Sequence, residues 1–198
     1  MRPDLRLRRA VAADVPRLEG LIARSARALC RGFYSDAQVE AAVAHIFGVD
    51  SQVIADGGYF VVADAAGAPA GCGGWSARRT LFGGDRFAGR QAGMLDPACE
   101  AARIRAFFVA PGFARQGVAA ALLAASEGAA QAAGFRRAAL MATLSGVPFY
   151  QQAGYRAEAE IMVEVAGSAL PFVPMFRALA AGDPSAGQKA TPATAAEI

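Results

Sequence analysis

The sequence has little with which to build a metal centre or a disulfide framework. Its only histidine is His45, and its three cysteines, Cys30, Cys72 and Cys99, are widely spaced with no C-x-x-C pairing. Zinc sites draw on clustered cysteine and histidine, so no zinc site can be assembled and no metal is expected. An imidazole-dependent nucleophile would have to rely on His45, and nothing around it suggests that role. Scattered, unpaired cysteines suit reduced thiols that pack as small hydrophobes. Hydrophobic residues make up 55% of the chain, yet no window holds the roughly 18 consecutive apolar residues of a membrane span. The opening residues, MRPDLRLRRAVAAD, lack the apolar run and cleavage site of a signal peptide. The expectation is a cytoplasmic protein with no membrane partner.

Charge of one sign is not concentrated anywhere. Lys and Arg total 20 against 17 Asp and Glu, a net charge of +3, and the arginines are spread along the chain. That is a weak nucleic-acid footprint, and no nucleic-acid partner is expected. A mild positive bias also suits an anionic small molecule. The 198 residues are enough for one α/β domain with a sizeable core and too few for two ordinary ones.

Residues 5–9 (LRLRR) alternate and predict a short strand. Asp14 reads as an N-cap with Pro16 near the first helical position, followed by Leu18, Leu21, Ile22 and Leu29 at helical spacing. A second helix opens at Ser35 or Asp36 and runs towards Gly48, with Val39, Val43, Ile46 and Phe47 on one face. YFVVA (59–63), the turn DAAGAP and AGCGGWSAR predict a hairpin. Glycines inside its second strand mark close backbone approach or a bulge. Residues 83–101 read as a loop of a length that tends to be functional or disordered. Strands follow at 103–109 and 137–142, with an Ala-rich helix between them that closes at Gly134. A short helix spans about 148–153, a long strand 155–165 and a final strand 172–179. From Ala180 the chain has almost no core-forming residues and is expected to be disordered. This order predicts an α/β fold on a mixed sheet with one right-handed parallel crossover.

The chemistry concentrates in FFVAPGFARQGVAAALL, residues 107–123. A strand runs through a tight loop with Arg115 and Gly117 straight into a helix. A helix N-terminus offers unpaired N–H groups and the positive end of the macrodipole, which together stabilise a phosphate. Gly117 lets the backbone approach a ligand without a Cβ in the way, and Arg115 can add a charge-assisted contact. No Lys-Ser or Lys-Thr follows, so this is no Walker-type loop, and a lone glycine makes no dinucleotide fingerprint.

Strand, V-x-P, R-x-G-x-A and apolar helix resemble motif A of the GCN5-related N-acetyltransferases. SGVPFYQQAGY (145–155) resembles their motif B, in which a tyrosine stands four residues before a Gly-aromatic pair. The predicted element order is similar to that fold over roughly residues 4–179. The resemblance implies an N-acetyltransferase domain over 1–180 with a disordered tail over 181–198. Its sheet would be mostly antiparallel, with a central splayed parallel strand pair flanked by helices. It also implies acetyl-CoA as cosubstrate, an amine acceptor and direct attack in a ternary complex. A non-catalytic acyl-CoA sensor is the alternative, and a homodimer is left open.

Carried over, Phe107, Phe108 and Val109 would meet the acetyl-pantetheine end. The backbone of Arg115, Gln116, Gly117, Val118, Ala119 and Ala120 would hold the pyrophosphate. Tyr150 would protonate the departing thiolate as a general acid, or else only pack its helix against the sheet. Two positions depart from the family pattern. Ala114 stands where Gln or Arg is common, and Thr143 replaces an asparagine while keeping a hydroxyl for pantetheine or a water.

For the acceptor, Trp75, Phe33 and Tyr34 are pocket or core candidates. Glu100 is an outside candidate for a base, beside a water chain. Arg103 and Arg105 share a strand face that by parity also holds Phe107 and Val109. Arg105 would then either project into the cleft and favour an acceptor with an acidic group, or sit in a salt-bridged surface.

Overall fold

A computed structural model describes residue 2 and residues 4–179; the tail expected over 181–198 lies outside them. Strand β1 (Arg6–Arg9) pairs antiparallel with β2 (Tyr59–Ala63), and β2 forms the predicted hairpin with β3 (Pro69–Ser76). β3 runs antiparallel to β4 (Ala102–Val109), which lies parallel to β5 (Arg137–Thr143). The segment expected as one strand over 155–165 divides into β6 (Arg156–Ala157) and β7 (Ile161–Val165), and both pair with the long β8 (Ser168–Ala178), itself antiparallel to β5. The break has a cause in β8. Pro174 accepts from the Glu158 N–H at 2.9 Å, so its carbonyl faces β6 and β7. A residue's N–H and carbonyl share one side of an antiparallel strand, and proline has no N–H to continue the ladder there.

Helices cover both faces. On one lie α1 (Val15–Leu29), α2 (Asp36–His45) and α3 (Ser51–Ala55); on the other lie α4 (Val118–Ala132) and α5 (Val147–Gln152). α1 buries Leu18, Leu21 and Ile22 at helical spacing against Tyr59, Val61 and Cys72. α4 packs Val118 and Leu122 on Phe60, Val62 and Ala70 of the opposite face. Ser35 opens α2 with a reciprocal cap: its hydroxyl accepts from the Gln38 N–H and its own N–H donates to the Gln38 side chain. Asp14 stands at the predicted cap position of α1, but its carboxylate bonds backward, to the Val11 N–H and to Arg8. α3 was not predicted. It exists because the buried Asp50 carboxylate accepts from the N–H groups of Gln52 and Val53. Among the described residues no helix is long and apolar enough to cross a membrane.

The glycines of β3 do mark close approach. A Cβ on Gly73 would come within 2.5 Å of the Phe107 ring, and one on Gly74 within 2.4 Å of the Gly58 carbonyl. Across from them β4 carries a bulge. Cys72 pairs with Phe108 and Gly74 with Arg105, so Gly73 alone faces both Ala106 and Phe107. Ala106 takes a φ of 54°, a conformation costly for a residue with a Cβ. The Tyr59 hydroxyl holds it there by donating to the Ala106 carbonyl at 2.9 Å. β4 and β5 pair only at Ala102 with Ala138 and Arg103 with Ala139. Beyond that point they part, while β5 stays on β8 as far as Thr143.

The long loop after β3 is ordered by its bonds. Leu95 N–H donates to Ala77, the Thr80 hydroxyl bridges both backbone groups of Gln91, and Gly84 N–H donates to Ile46. Arg90 pairs with Asp50 at 3.1 Å. Arg105 also pairs with Asp50, at 2.9 Å, and donates to the Gly83 carbonyl.

All four tyrosines are withdrawn from water. Burial pushes Tyr34 up to about 12, and burial likewise raises Tyr59, Tyr150 and Tyr155 above the ordinary phenol value. The unfolded chain ionises these phenols near pH 10, so their contribution to stability is intact below about pH 10 and is lost as pH rises from there through the folded values. The melting temperature is expected to hold up to about pH 10 and fall above it, with phenolate absorbance appearing together with unfolding. Phenolate growing in below that pH in a still-folded protein would contradict this.

Candidate functional site

Where β4 and β5 part, a cavity of about 740 Å³ opens and runs from the N-terminus of α4 through the gap to the far face of the sheet. That volume suits a small-molecule ligand. At the first end Arg115 (φ 62°) and Gly117 (φ 80°) both lie in the left-handed region. The first intrahelical bond of α4 joins Ala121 N–H to the Gly117 carbonyl at 3.0 Å. The amides of Val118, Ala119 and Ala120 are therefore left without helical acceptors and can bind an anion. Arg115, Gly117 and these three residues line the cavity. Arg115 is exposed, and among the described residues no partner takes up its charge. The Gln116 side chain instead donates to the Gly112 carbonyl at 2.8 Å, and Gln116 is not among the lining residues.

The middle of the cavity is the gap itself. Phe107, Phe108 and Val109 form one wall, Met141, Ala142 and Thr143 the other. The edge of β4 that would bond a neighbouring strand has no strand beside it from Ile104 onward. Its backbone groups can receive an extended, amide-bearing ligand.

Tyr150 closes this region. It is buried within α5, in contact with the rings of Phe107, Phe149 and Tyr155, and it lines the cavity. Among the described residues its hydroxyl takes no hydrogen-bond partner, so the proton is available to a ligand. Thr143 Oγ1 lies 3.2 Å from Ser145 Oγ, and the Cys30 thiol 3.8 Å from the same atom. Burial raises Cys30 above the ordinary thiol value. It stays protonated and is a poor nucleophile.

Of the residues at the far end the sequence offered only Phe33. That end is formed by the end of α1 (Ser25, Ala26, Leu29), by Ile46–Gly48, by Phe82–Gly84 and by Phe172. Phe33 belongs to this wall and is 50% exposed. Phe33, a pocket candidate from the sequence, and the unusual length of the loop at 83–101 were the signals that pointed here.

Several of the candidates lie away from the cavity. Arg105 does not share a face with Phe107 and Val109, because the bulge at Ala106 resets the alternation. Arg105 turns to the side of α1 and α3, 2% exposed, and its charge is met by Asp50. Arg103, also on that side, does not line the cavity. Glu100 is outside as well, bonded to Arg79 and to the Asp96 N–H, and the Asp96 amide and Arg79 hold its carboxyl below the usual range. Trp75 packs on Phe135 in the core. Tyr34 ties two segments together, donating to Pro171 and accepting from the Leu144 N–H. His45, in the last turn of α2, is not a lining residue.

Comparison with known proteins agrees with this architecture. The model of the acetyltransferase (GNAT) domain matches residues 31–179. No curated protein matches. Among solved structures, a GCN5-related N-acetyltransferase from Rhodopseudomonas palustris is similar at a TM-score of 0.66 and 20% identity, covering 90% of this chain and 98% of that one. A phosphinothricin acetyltransferase from Sinorhizobium meliloti, solved with acetyl-CoA, is similar at 0.56 and 22%, covering 93% and 95%. The PaiA N-acetyltransferase of Thermoplasma acidophilum, solved with coenzyme A, is similar at 0.58 and 14%, covering 88% and 98%. At these identities the likeness speaks for the fold, and the domain match speaks for the family. The chain belongs to the GNAT acetyltransferases.

Proposed function

We propose that the protein transfers an acetyl group from acetyl-CoA to a primary amine by direct attack in a ternary complex, without a covalent acyl-enzyme. The observation that carries this reading is the continuity of one cavity. It joins an anion-accepting helix N-terminus, an unpaired strand edge and a protonated phenol. In this reading the backbone of Arg115 to Ala120 receives the pyrophosphate, with the Arg115 guanidinium adding charge. The edge of β4 at Phe107, Phe108 and Val109 receives the pantetheine amides as a further strand would. Thr143 offers its hydroxyl from the opposite wall.

The thioester supplies an acyl carbon already activated for attack. What the chain adds is position, exclusion of water and a proton. Tyr150, kept neutral by burial, donates a hydrogen bond to sulfur as the carbon–sulfur bond breaks. Among the described lining residues no carboxylate or imidazole stands ready as a base, so the proton of the attacking amine leaves through water. The one thiol in the wall, Cys30, is held protonated, which favours direct attack over an acyl-cysteine. Free cysteines, two of the three buried, fit a reducing, cytoplasmic setting.

Two substitutions test the reading. Gly117→Val places a branched side chain at a φ of 80°, where the backbone must approach the pyrophosphate. It is expected to weaken CoA binding by at least about tenfold, or 1.4 kcal/mol. Unchanged affinity by calorimetry in a folded variant would remove the phosphate assignment. Tyr150→Phe keeps the ring contacts and deletes only the donor. It should lower kcat by about a hundredfold, the ordinary scale of general acid catalysis, while acetyl-CoA affinity stays within a few-fold. A kcat that barely moves would make Tyr150 a packing residue.

A further inference from the structure

The far end of the cavity identifies the class of acceptor, on the basis of the acetyl-transfer reading above. Five phenylalanines dominate it: Phe33, Phe47, Phe82, Phe108 and Phe172 form its wall with Met141. Three of their pairs are in ring contact, Phe47 with Phe108 at 5.3 Å, Phe82 with Phe172 at 5.7 Å and Phe47 with Phe172 at 6.3 Å. Edge-on and tilted rings of this kind make a slot that receives another flat ring.

Equally informative is the disposition of charge. Among the described lining residues the one charged side chain is Arg115, at the opposite, phosphate-accepting end. Glu19, Asp50 and Asp85, on segments flanking the slot, are engaged, while Glu160, which acts on Tyr34 beside Phe172, is exposed and outside the lining. Glu19 of α1 binds Arg86 and the Val49 N–H. Asp50 binds Arg105 and Arg90. Asp85 accepts from the Ser51 N–H and faces Arg90. Cys30 and Tyr150, the titratable groups in the wall, are both held neutral by burial.

An ammonium entering this slot would exchange water for aromatic walls, whose cation–π attraction offsets only part of the desolvation, with no counter-ion among the lining residues. It would also need a base before it could attack. A carboxylate would find no cation in the wall of the slot: Arg105, whose Nη2 serves Asp50 and the Gly83 carbonyl, does not line it. A neutral amine carried on a ring meets neither cost. We infer that the acceptor is an arylamine, a primary amine whose nitrogen is bonded directly to an aromatic ring. Delocalisation of its lone pair into the ring keeps that nitrogen unprotonated near pH 7. The ring lies among the phenylalanines, and the nitrogen points towards the gap in the sheet. Its lone pair attacks the thioester carbonyl, a carbon–nitrogen bond forms and the carbon–sulfur bond breaks. One proton leaves nitrogen and one reaches sulfur, so the products are the anilide and free CoA.

The test is a competition of four acceptors at matched concentration: 4-methylaniline, 4-methylbenzylamine, spermidine and glutamate. At pH 7, kcat/KM for 4-methylaniline should exceed that of the other three by at least about tenfold, a barrier difference of about 1.4 kcal/mol. Its lead over 4-methylbenzylamine should narrow as pH rises towards about 10 and the alkylamine loses its proton. Phe33→Ala, at a half-exposed position, should raise KM for 4-methylaniline by about threefold or more, as loss of one ring contact implies, with acetyl-CoA affinity unchanged. Preferred acetylation of spermidine, glutamate or 4-methylbenzylamine would overturn the arylamine while leaving the N-acetyltransferase standing. So would an unmoved KM in Phe33→Ala. Binding of acetyl-CoA with no transfer to any of the four would overturn both.

Discussion

The site depends on one distortion, the bulge at Ala106 in β4. An alanine with φ near 54° is not held there by its own preferences. It is held because the Tyr59 hydroxyl bonds its carbonyl and because Gly73 leaves room for the Phe107 ring. A bulge bends a strand and ends regular pairing. Here it comes three residues beyond Arg103, the last residue of β4 paired with β5, within the stretch that has parted from β5. The gap between β4 and β5 is the only place in the central sheet, among the described residues, where an inner strand has a bare edge. That gap leaves backbone groups of β4 open to a ligand, and the passage from one face of the sheet to the other runs through it.

The bulge also sorts side chains. Before it, Ala102 and Ile104 face α4 while Arg103 and Arg105 face the other layer; after it, Phe107 and Val109 take the α4 side. The reset sends Arg105 to Asp50, which at the same time caps α3 and pairs with Arg90. Such a buried pair is weak evidence for stability, since desolvation offsets much of the attraction. Its clearer consequence is position. Through the Gly83 carbonyl, Arg105 fixes the Phe82–Gly84 segment against the slot. The bulge thus keeps Arg105 out of the cavity wall while it turns Phe107 and Val109 towards α4.

The parts legible in sequence were those whose cause is local. The strand, loop and helix around Gly117 announce themselves within seventeen residues, and the Gly-rich β3 signalled close approach before any partner was known. What could not be read depends on contacts between distant residues. Parity along β4 was misleading because the bulge needs Tyr59 and Gly73, both on other strands. Asp50 and Arg105 are 55 positions apart, and neither reveals the other. The break between β6 and β7 follows from Pro174, which matters only once β8 is known to lie beside them. The far end of the cavity gathers residues from α1, from the turn after α2, from the long loop and from β8, and no local pattern unites them.

The central claim is that the opened edge of β4 and the first turn of α4 together receive acetyl-CoA. Amide hydrogen exchange with and without acetyl-CoA tests it most directly. Exchange should slow at 104–109 and at 115–120, because ligand oxygens would take up amides that otherwise lack protein acceptors. Acetyl-CoA that binds by calorimetry yet leaves exchange unchanged in both segments would contradict the account.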